Sequence, residues 1–151
     1  MQMRWEKTEQ RDLTYSRWHR QFTGEYRFID IDHVEYCPYC NEPLALIETA
    51  RDVGQTYKCA EITTLIAKKI GVFSLIVLYK VNESGEIINF RVKYTNPNGY
   101  DYLNYSPMDY LKLLKKLHDL HNKNKCKKYC GGGDPFVSCG TNDLSNVEDF
   151  M

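Results

Sequence analysis

The spacing of apolar residues along the first half of the chain predicts a hairpin followed by a helix. Apolar and polar residues alternate over residues 25–36, and residues 44–50 form a short apolar run, which are both strand patterns. The prolines and the asparagine between them are typical of a turn. Residues 56–70 then repeat apolar side chains at helical spacing, and Gly71 marks the end of that helix. The apolar stripe that we expect to be buried is Ile62, Leu65, Ile66 and Ile70.

The second half of the chain continues with two strands and a helix. Residues 73–81 are apolar enough for a central strand, and a turn over residues 82–85 leads to a fourth strand over residues 87–94. Ser106 and Pro107 are typical of a helix start, and that helix is predicted to reach about His121. With a leading helix over residues 10–20, this order predicts an α/β fold, in which a mixed central β-sheet is flanked by helices.

Length and charge suggest a single domain with a tail. The 151 residues suffice for one domain, which we place at residues 1–122, with an irregular extension over residues 123–151. The net charge is zero, so no global field marks a nucleic-acid or membrane binder. Lysines are nevertheless concentrated over residues 107–130, and the last 21 residues are acidic without Lys or Arg. No apolar run has membrane-spanning length and no signal region opens the chain, so we expect a cytoplasmic protein without a membrane partner.

Two carboxylates in apolar strand sequence carry the most specific chemistry. If the hairpin turns about Cys40, Asp32 lies directly opposite Glu48, and Asp30 lies opposite Ala50. Opposed side chains have Cβ atoms about 5 Å apart, where like charges repel unless a cation lies between them. Two carboxylates and water are ligands that Mg²⁺ accepts, and such a site can assist phosphodiester hydrolysis. The alternative is a polar hairpin face that is exposed to water.

Three segments carry a family resemblance: Ser16-Arg-Trp-His-Arg20, Asp30-Ile-Asp32 and Pro43-Leu-Ala-Leu-Ile-Glu48. Over about residues 10–95 the chain resembles the PD-(D/E)XK nuclease superfamily, and in particular its small phage-type members. The resemblance implies a restriction-endonuclease-like αβββαβ core and an endonuclease that hydrolyses DNA with Mg²⁺ or Mn²⁺. Asp32, Glu48 and the carbonyl of Thr49 would then bind the metal.

The chain departs from that family at the lysine. The family places Lys two residues after Glu, where this chain has Ala50. Lys58 is the proposed replacement, and Arg51 is a second candidate. Without a replacement, the resemblance implies a catalytically inactive protein that binds nucleic acid or a host protein, as a phage-type inhibitor would.

The cysteines suggest a second metal. Cys37-Pro-Tyr-Cys40 supplies two thiolates on a tight turn, which is half of a tetrahedral Zn²⁺ site. The other half would come from Cys126 and Cys130, or from His118 and His121. The same tetrapeptide matches the redox site of glutaredoxins, but here it leads into a strand, whereas that chemistry needs a helix N-terminus. Free thiols, and a zinc-stabilised interaction module, remain alternatives.

Basic residues near both ends are candidates for nucleic-acid contacts. They are Arg20, Lys123, Lys125, Lys127 and Lys128. Packing of the leading helix and a solvated helix end explain them equally well. DNA is the expected partner, and RNA, a host protein and a homodimer remain open.

Overall fold

The structure, a computed structural model, describes residues 12–22, 24–99, 101–124 and 126. These fall into two compact units, residues 1–30 and residues 31–151. The last helix ends at Asn124, two residues beyond the boundary expected for the extension, and most of that extension lies outside the described residues. None of the described helices is long and apolar enough to cross a membrane.

The first unit contains the leading helix, α1 (Thr14–Arg20), which is shorter than the sequence suggests. Its aromatic rings contact one another and the residues that follow the helix. Trp18 meets Phe22 with ring centroids 5.2 Å apart, and His19 meets Phe28 at 4.6 Å. The helix is therefore held by aromatic contacts, although Trp18 itself remains 55% exposed.

The second unit is a five-stranded sheet in the order β1-β2-β3-β4-β5. Its elements are β1 (His33–Tyr36), β2 (Pro43–Arg51), α2 (Glu61–Ile70), β3 (Phe73–Val81), β4 (Ile87–Asn96), β5 (Leu103–Tyr105) and α3 (Pro107–Asn124). Strands β2 and β3 are parallel and the other neighbours are antiparallel. The predicted α/β class with a mixed sheet is confirmed, and β3 is central as expected.

Two elements are shorter than the sequence predicts, and one strand was not predicted. The strand predicted over residues 25–36 is regular only at β1, and the helix predicted over residues 56–70 begins at Glu61. Strand β5 was not predicted, because three residues are too few for an alternating pattern. The predicted end of α2 and start of α3 are confirmed. Gly71 adopts φ 74° after α2, and the Ser106 hydroxyl accepts a hydrogen bond from the Asp109 N–H at 3.1 Å.

Both faces of the central strands are buried. Residues on one face, including Ile47, Leu75 and Val77, pack with Leu113 and Leu117 of α3. Leu46, on the other face, packs with Ala67 of α2. A strand covered on both sides has no water-facing row, which explains the continuous apolar run in β2.

The apolar stripe predicted for α2 is wrong at three of its four positions, and only Ile66 is partly buried, next to Leu46 and Ala67. Ile62, Leu65 and Ile70 are each nearly half exposed, and the buried residues of the helix are Thr63 and Ala67. Thr63 faces Glu48, and the neighbouring Thr64 bonds to Thr95 of β4. Because the sheet is polar beneath the helix, small and hydroxyl side chains are the ones that fit there.

Candidate functional site

The predicted register of the β1–β2 hairpin is confirmed. His33 pairs with Ile47, Val34 with Leu46 and Glu35 with Ala45. Asp32 immediately precedes β1, so the same register brings it across from Glu48. The pairing of β1 with β2 therefore places Asp32, from the loop before β1, opposite Glu48, from within the sheet.

Lys58 contacts both carboxylates. Its Nζ atom lies 3.0 Å from Oδ2 of Asp32 and 3.5 Å from Oε2 of Glu48. It also donates a hydrogen bond to the carbonyl oxygen of Thr49 at 2.7 Å. Lys58 lies three residues before α2 rather than in it, and from there it reaches three oxygens of the β1–β2 hairpin.

Glu48 is a buried carboxylate. It is only 6% exposed, on the face of β2 that α2 covers. Oε1 accepts a hydrogen bond from the Thr63 hydroxyl at 2.5 Å, and Oε2 faces Lys58. Burying an unpaired carboxylate costs several kcal/mol on an order-of-magnitude view, so these two contacts are what make the position tolerable.

Asp32 is held in its ionised form. Partial burial opposes ionisation, but the Thr49 N–H, which donates to Oδ2 at 2.8 Å, and the Lys58 ammonium outweigh it. Together they keep the pKa of the Asp32 carboxyl below its ordinary value. The carboxylate is thus available as a ligand over the whole physiological pH range.

Four residues named from sequence therefore come together: Asp32, Glu48, Thr49 and Lys58. Arg51, the other candidate for the missing lysine, is exposed at the end of β2. The contact of Thr63 with Glu48 was not predicted, because a single threonine in a helical segment does not indicate a partner on the sheet. Only the pairing of α2 with β2 shows its role.

The described residues contain one group of three or more side chains that can hold a metal ion: Cys37, Cys40, His121 and Cys126. Their ligand atoms all lie within 4.8 Å of one another. The sulfurs of Cys37 and Cys126 are 3.7 Å apart, too far for a disulfide, and Cys40 Sγ is 3.2 Å from His121 Nε2. Two thiolates bound to tetrahedral Zn²⁺ at about 2.3 Å would be separated by about 3.8 Å.

A tight turn presents the first two of these ligands. The Cys37 N–H donates to the Glu42 carbonyl at 2.9 Å, and the Asn41 N–H donates to the Cys37 carbonyl at 2.8 Å. Asn41 adopts φ 63°, a conformation that asparagine tolerates better than most residues. Burial raises the pKa of the Cys40 thiol to about 11.

The end of α3 supplies the other two ligands. His121 is buried in the last turn of the helix, and the Cys126 N–H donates to its carbonyl at 2.9 Å. Of the expected pair of Cys126 and Cys130, Cys126 is in the cluster, and Cys130 lies outside the described residues. His118 is not in the cluster, because its Nε2 lies 2.6 Å from Oε1 of Glu35.

The basic residues proposed for nucleic-acid binding are only partly described. Arg20 is exposed in the first unit, with its guanidinium carbon 6.0 Å from the centre of the Phe28 ring. Lys123 is exposed near the end of α3. Lys125, Lys127 and Lys128 lie outside the described residues.

Comparison of the chain with protein-family models, with curated proteins and with solved structures gave no match.

Proposed function

We propose that this protein is a Mg²⁺-dependent nuclease that hydrolyses DNA phosphodiester bonds at Asp32 and Glu48. The observation that carries the proposal is the convergence of three oxygens on one cation. Lys58 Nζ lies within 3.5 Å of Asp32 Oδ2, Glu48 Oε2 and the Thr49 carbonyl oxygen. These are the oxygens that the resemblance to the PD-(D/E)XK superfamily assigns to the metal.

The donor set fits a hard divalent cation. Carboxylate and carbonyl oxygens are what Mg²⁺ and Mn²⁺ prefer, and a site with few protein ligands suits an ion that keeps much of its water shell. Bound there, the cation would supply a Lewis acid that activates water and neutralises charge on the phosphate. The order α1-β1-β2-α2-β3 also follows the implied core, although one strand of an αβββαβ arrangement has no counterpart among the described residues.

Lys58 takes the part of the family lysine in this proposal. Its ammonium contacts both carboxylates and helps to keep the pKa of Asp32 below its ordinary value. In the nuclease it would stabilise negative charge that develops on the phosphate. Glu48 is fixed by Thr63 and Asp32 by the Thr49 N–H, so the oxygens are held in place before any ligand arrives. Preorganisation of this kind is a large part of what a charged site contributes to catalysis.

A plasmid-cleavage assay with Mn²⁺ or Mg²⁺ tests the proposal. We expect Asp32→Asn and Glu48→Gln to lower the rate at least about 100-fold, as is typical when a group that stabilises transition-state charge is removed. Asp30→Asn is the matched control, since it makes the same change two residues away and should leave the rate within a few fold. Equal cleavage by all variants would reveal a contaminating nuclease and reject the proposal.

A second candidate function follows from the same contacts. The Lys58 ammonium already bonds the oxygens that would bind the metal, so it can act as a built-in replacement for the ion. The protein would then be a catalytically inactive member of the nuclease fold that binds nucleic acid or a host protein.

Calorimetric titration with Mn²⁺ separates the two functions. The nuclease predicts binding by the native protein and its loss in Asp32→Asn. The inactive protein predicts no binding by the native chain and a gain of binding in Lys58→Ala, because removing the ammonium vacates the three oxygens.

We further propose that the Cys37, Cys40, His121 and Cys126 cluster holds a structural Zn²⁺. Three thiolates and one imidazole form a closed tetrahedral donor set, which leaves no open position for chemistry. The ligands join the tip of the β1–β2 hairpin to the end of α3, which are more than 80 residues apart in sequence. Zinc would thus fasten the hairpin that carries Asp32 and Glu48.

A further inference from the structure

A groove adjoins the carboxylates on the α2 face of the sheet. It has a volume of about 630 Å³ and runs from Lys58 past α2 to Lys93 and Thr95 of β4 and to Tyr102. We call it the lysine groove, after Lys58, Lys68 and Lys93 in its walls. Lys58 belongs to both features, so a ligand in the lysine groove lies beside Asp32 and Glu48.

The charge of the lysine groove favours an anion. Lys68 and Lys93 form no ion pair with another described residue, and Glu61 is the only described carboxylate in the walls. Lys58 is already paired with Asp32 and Glu48. Set against Glu61, Lys68 and Lys93 leave a net positive charge in the walls beside that pair, which favours a ligand that carries negative charge.

Tyr102 provides an aromatic ring in the same walls. Its hydroxyl is buried and has no hydrogen-bond partner among the described residues, although buried polar groups are nearly always bonded. Its ring is fixed by cations, with Arg91 Cζ 5.1 Å and Lys93 Nζ 5.8 Å from the ring centre. Because the hydroxyl oxygen is enclosed by protein, Tyr102 presents its ring and not this oxygen to a ligand in the groove.

The surface beneath is also polar. The Thr64 hydroxyl donates to the Thr95 hydroxyl at 2.8 Å, and the latter donates to Ser74 at 2.8 Å. A groove of this volume is in the size range of clefts for small ligands and accommodates one or two nucleotides of a strand. Positive charge combined with aromatic rings is the usual construction of sites for single strands.

We propose that the lysine groove binds a single strand of nucleic acid, with Lys68 and Lys93 on phosphates. The inference rests on the proposed function in one respect, which is that the same strand would be the substrate at Asp32 and Glu48. Binding itself requires no cleavage and can be measured separately.

The test is fluorescence anisotropy with a labelled oligo-dT of about 12 nucleotides, within the range that single-strand sites cover. It uses the full chain without added divalent metal and without chelator, and a gel verifies that the strand stays intact. We expect Lys68→Gln and Lys93→Gln to weaken binding several fold and each to reduce the salt slope by about 0.7. Lys69→Gln, one residue along α2 and outside the groove walls, should bind like the native protein.

Each outcome is decisive. Equal affinity of the native protein, Lys68→Gln and Lys93→Gln would overturn the proposal, as would a duplex of the same length binding more tightly than the single strand. Competition by poly-glutamate at equal charge concentration would also overturn it, in favour of an acidic protein partner. If no variant cleaves DNA but binding follows the groove variants, the lysine groove stands and the nuclease fails. If cleavage depends on Asp32 while Lys68→Gln and Lys93→Gln bind normally, the nuclease stands and the lysine groove proposal fails.

Discussion

The Thr63 hydroxyl donates a hydrogen bond to Oε1 of Glu48 in the space between α2 and β2. Both residues are buried, Thr63 at 1% and Glu48 at 6% exposure. We expect Thr63→Val to lower the free energy of unfolding by about 1–3 kcal/mol, because the substitution keeps the volume but leaves a buried charge short of a donor. Urea denaturation measures the change.

Thr64→Val is the control for that prediction. It removes a bond between two neutral hydroxyls in a half-buried position, and should cost no more than about 0.5–1.5 kcal/mol. In a Glu48→Gln background the cost of Thr63→Val should also fall, since no charge remains to be stabilised. Equal costs in both backgrounds would show that Thr63 contributes through packing alone.

Lys58 should control the ionisation of Asp32. Burial raises the pKa of that carboxyl, whereas the Thr49 N–H and Lys58 lower it and prevail. Because the folded-state pKa is depressed, the stabilisation from Asp32 is present at neutral pH and is lost as the pH falls through that pKa. In Lys58→Met the pKa should rise and the loss should begin at higher pH, while Lys58→Arg should keep it low. Carbon NMR of the carboxyl group would follow both variants.

Removal of the proposed zinc should destabilise the protein. We expect stoichiometric zinc in the purified chain, and its loss in Cys40→Ser and His121→Ala, with a fall in Tm of about 10 °C. Cys59→Ser and His118→Ala are the matched controls, because Cys59 is exposed and outside the cluster and His118 pairs with Glu35. Zinc loss in the controls as well would place the ion elsewhere.

The ion pair between Asp52 and Arg91 gives a pH prediction away from both sites. Two hydrogen bonds of 2.7 Å join the side chains, and the Arg91 bond, with the Gly54 N–H, lowers the pKa of Asp52 to about 2. A carboxyl with a depressed pKa stabilises the fold above its unfolded pKa, here by about 2 kcal/mol. Asp52→Asn should therefore be less stable than the native chain at neutral pH. The difference should shrink between about pH 4 and pH 2, as followed by thermal unfolding.

Local patterns predicted the sheet well. The apolar runs gave β2 and β3, the Ser106-Pro107 start gave α3, and the turn at Cys40 gave the register that opposes Asp32 and Glu48. Each of these features depends on residues that are close in sequence, or on the alternation of side chains along a strand. Such local patterns can be recognised in a single sequence.

Contacts between distant elements were harder to foresee. The exposed stripe of α2 misled the prediction, because burial there is decided by Glu48 and Thr95 on the sheet below and not by hydrophobicity. His121 and Cys126 join Cys37 and Cys40 only because α3 ends beside the hairpin tip. The sequence of α3 does not indicate which part of the sheet its last turn approaches. The other two zinc ligands could therefore not be chosen from sequence among Cys126, Cys130, His118 and His121.

The short length of β1 has a consequence for the dynamics of the carboxylates. Among the described strands, this four-residue strand is at the edge of the sheet and is hydrogen-bonded to β2 alone, whereas Glu48 is on a strand bonded on both sides. Edge segments with few buried contacts open locally at a lower free energy than central strands. Amide exchange should therefore be faster next to Asp32 than next to Glu48, and fraying of β1 would separate the two charges while the rest of the sheet stays folded.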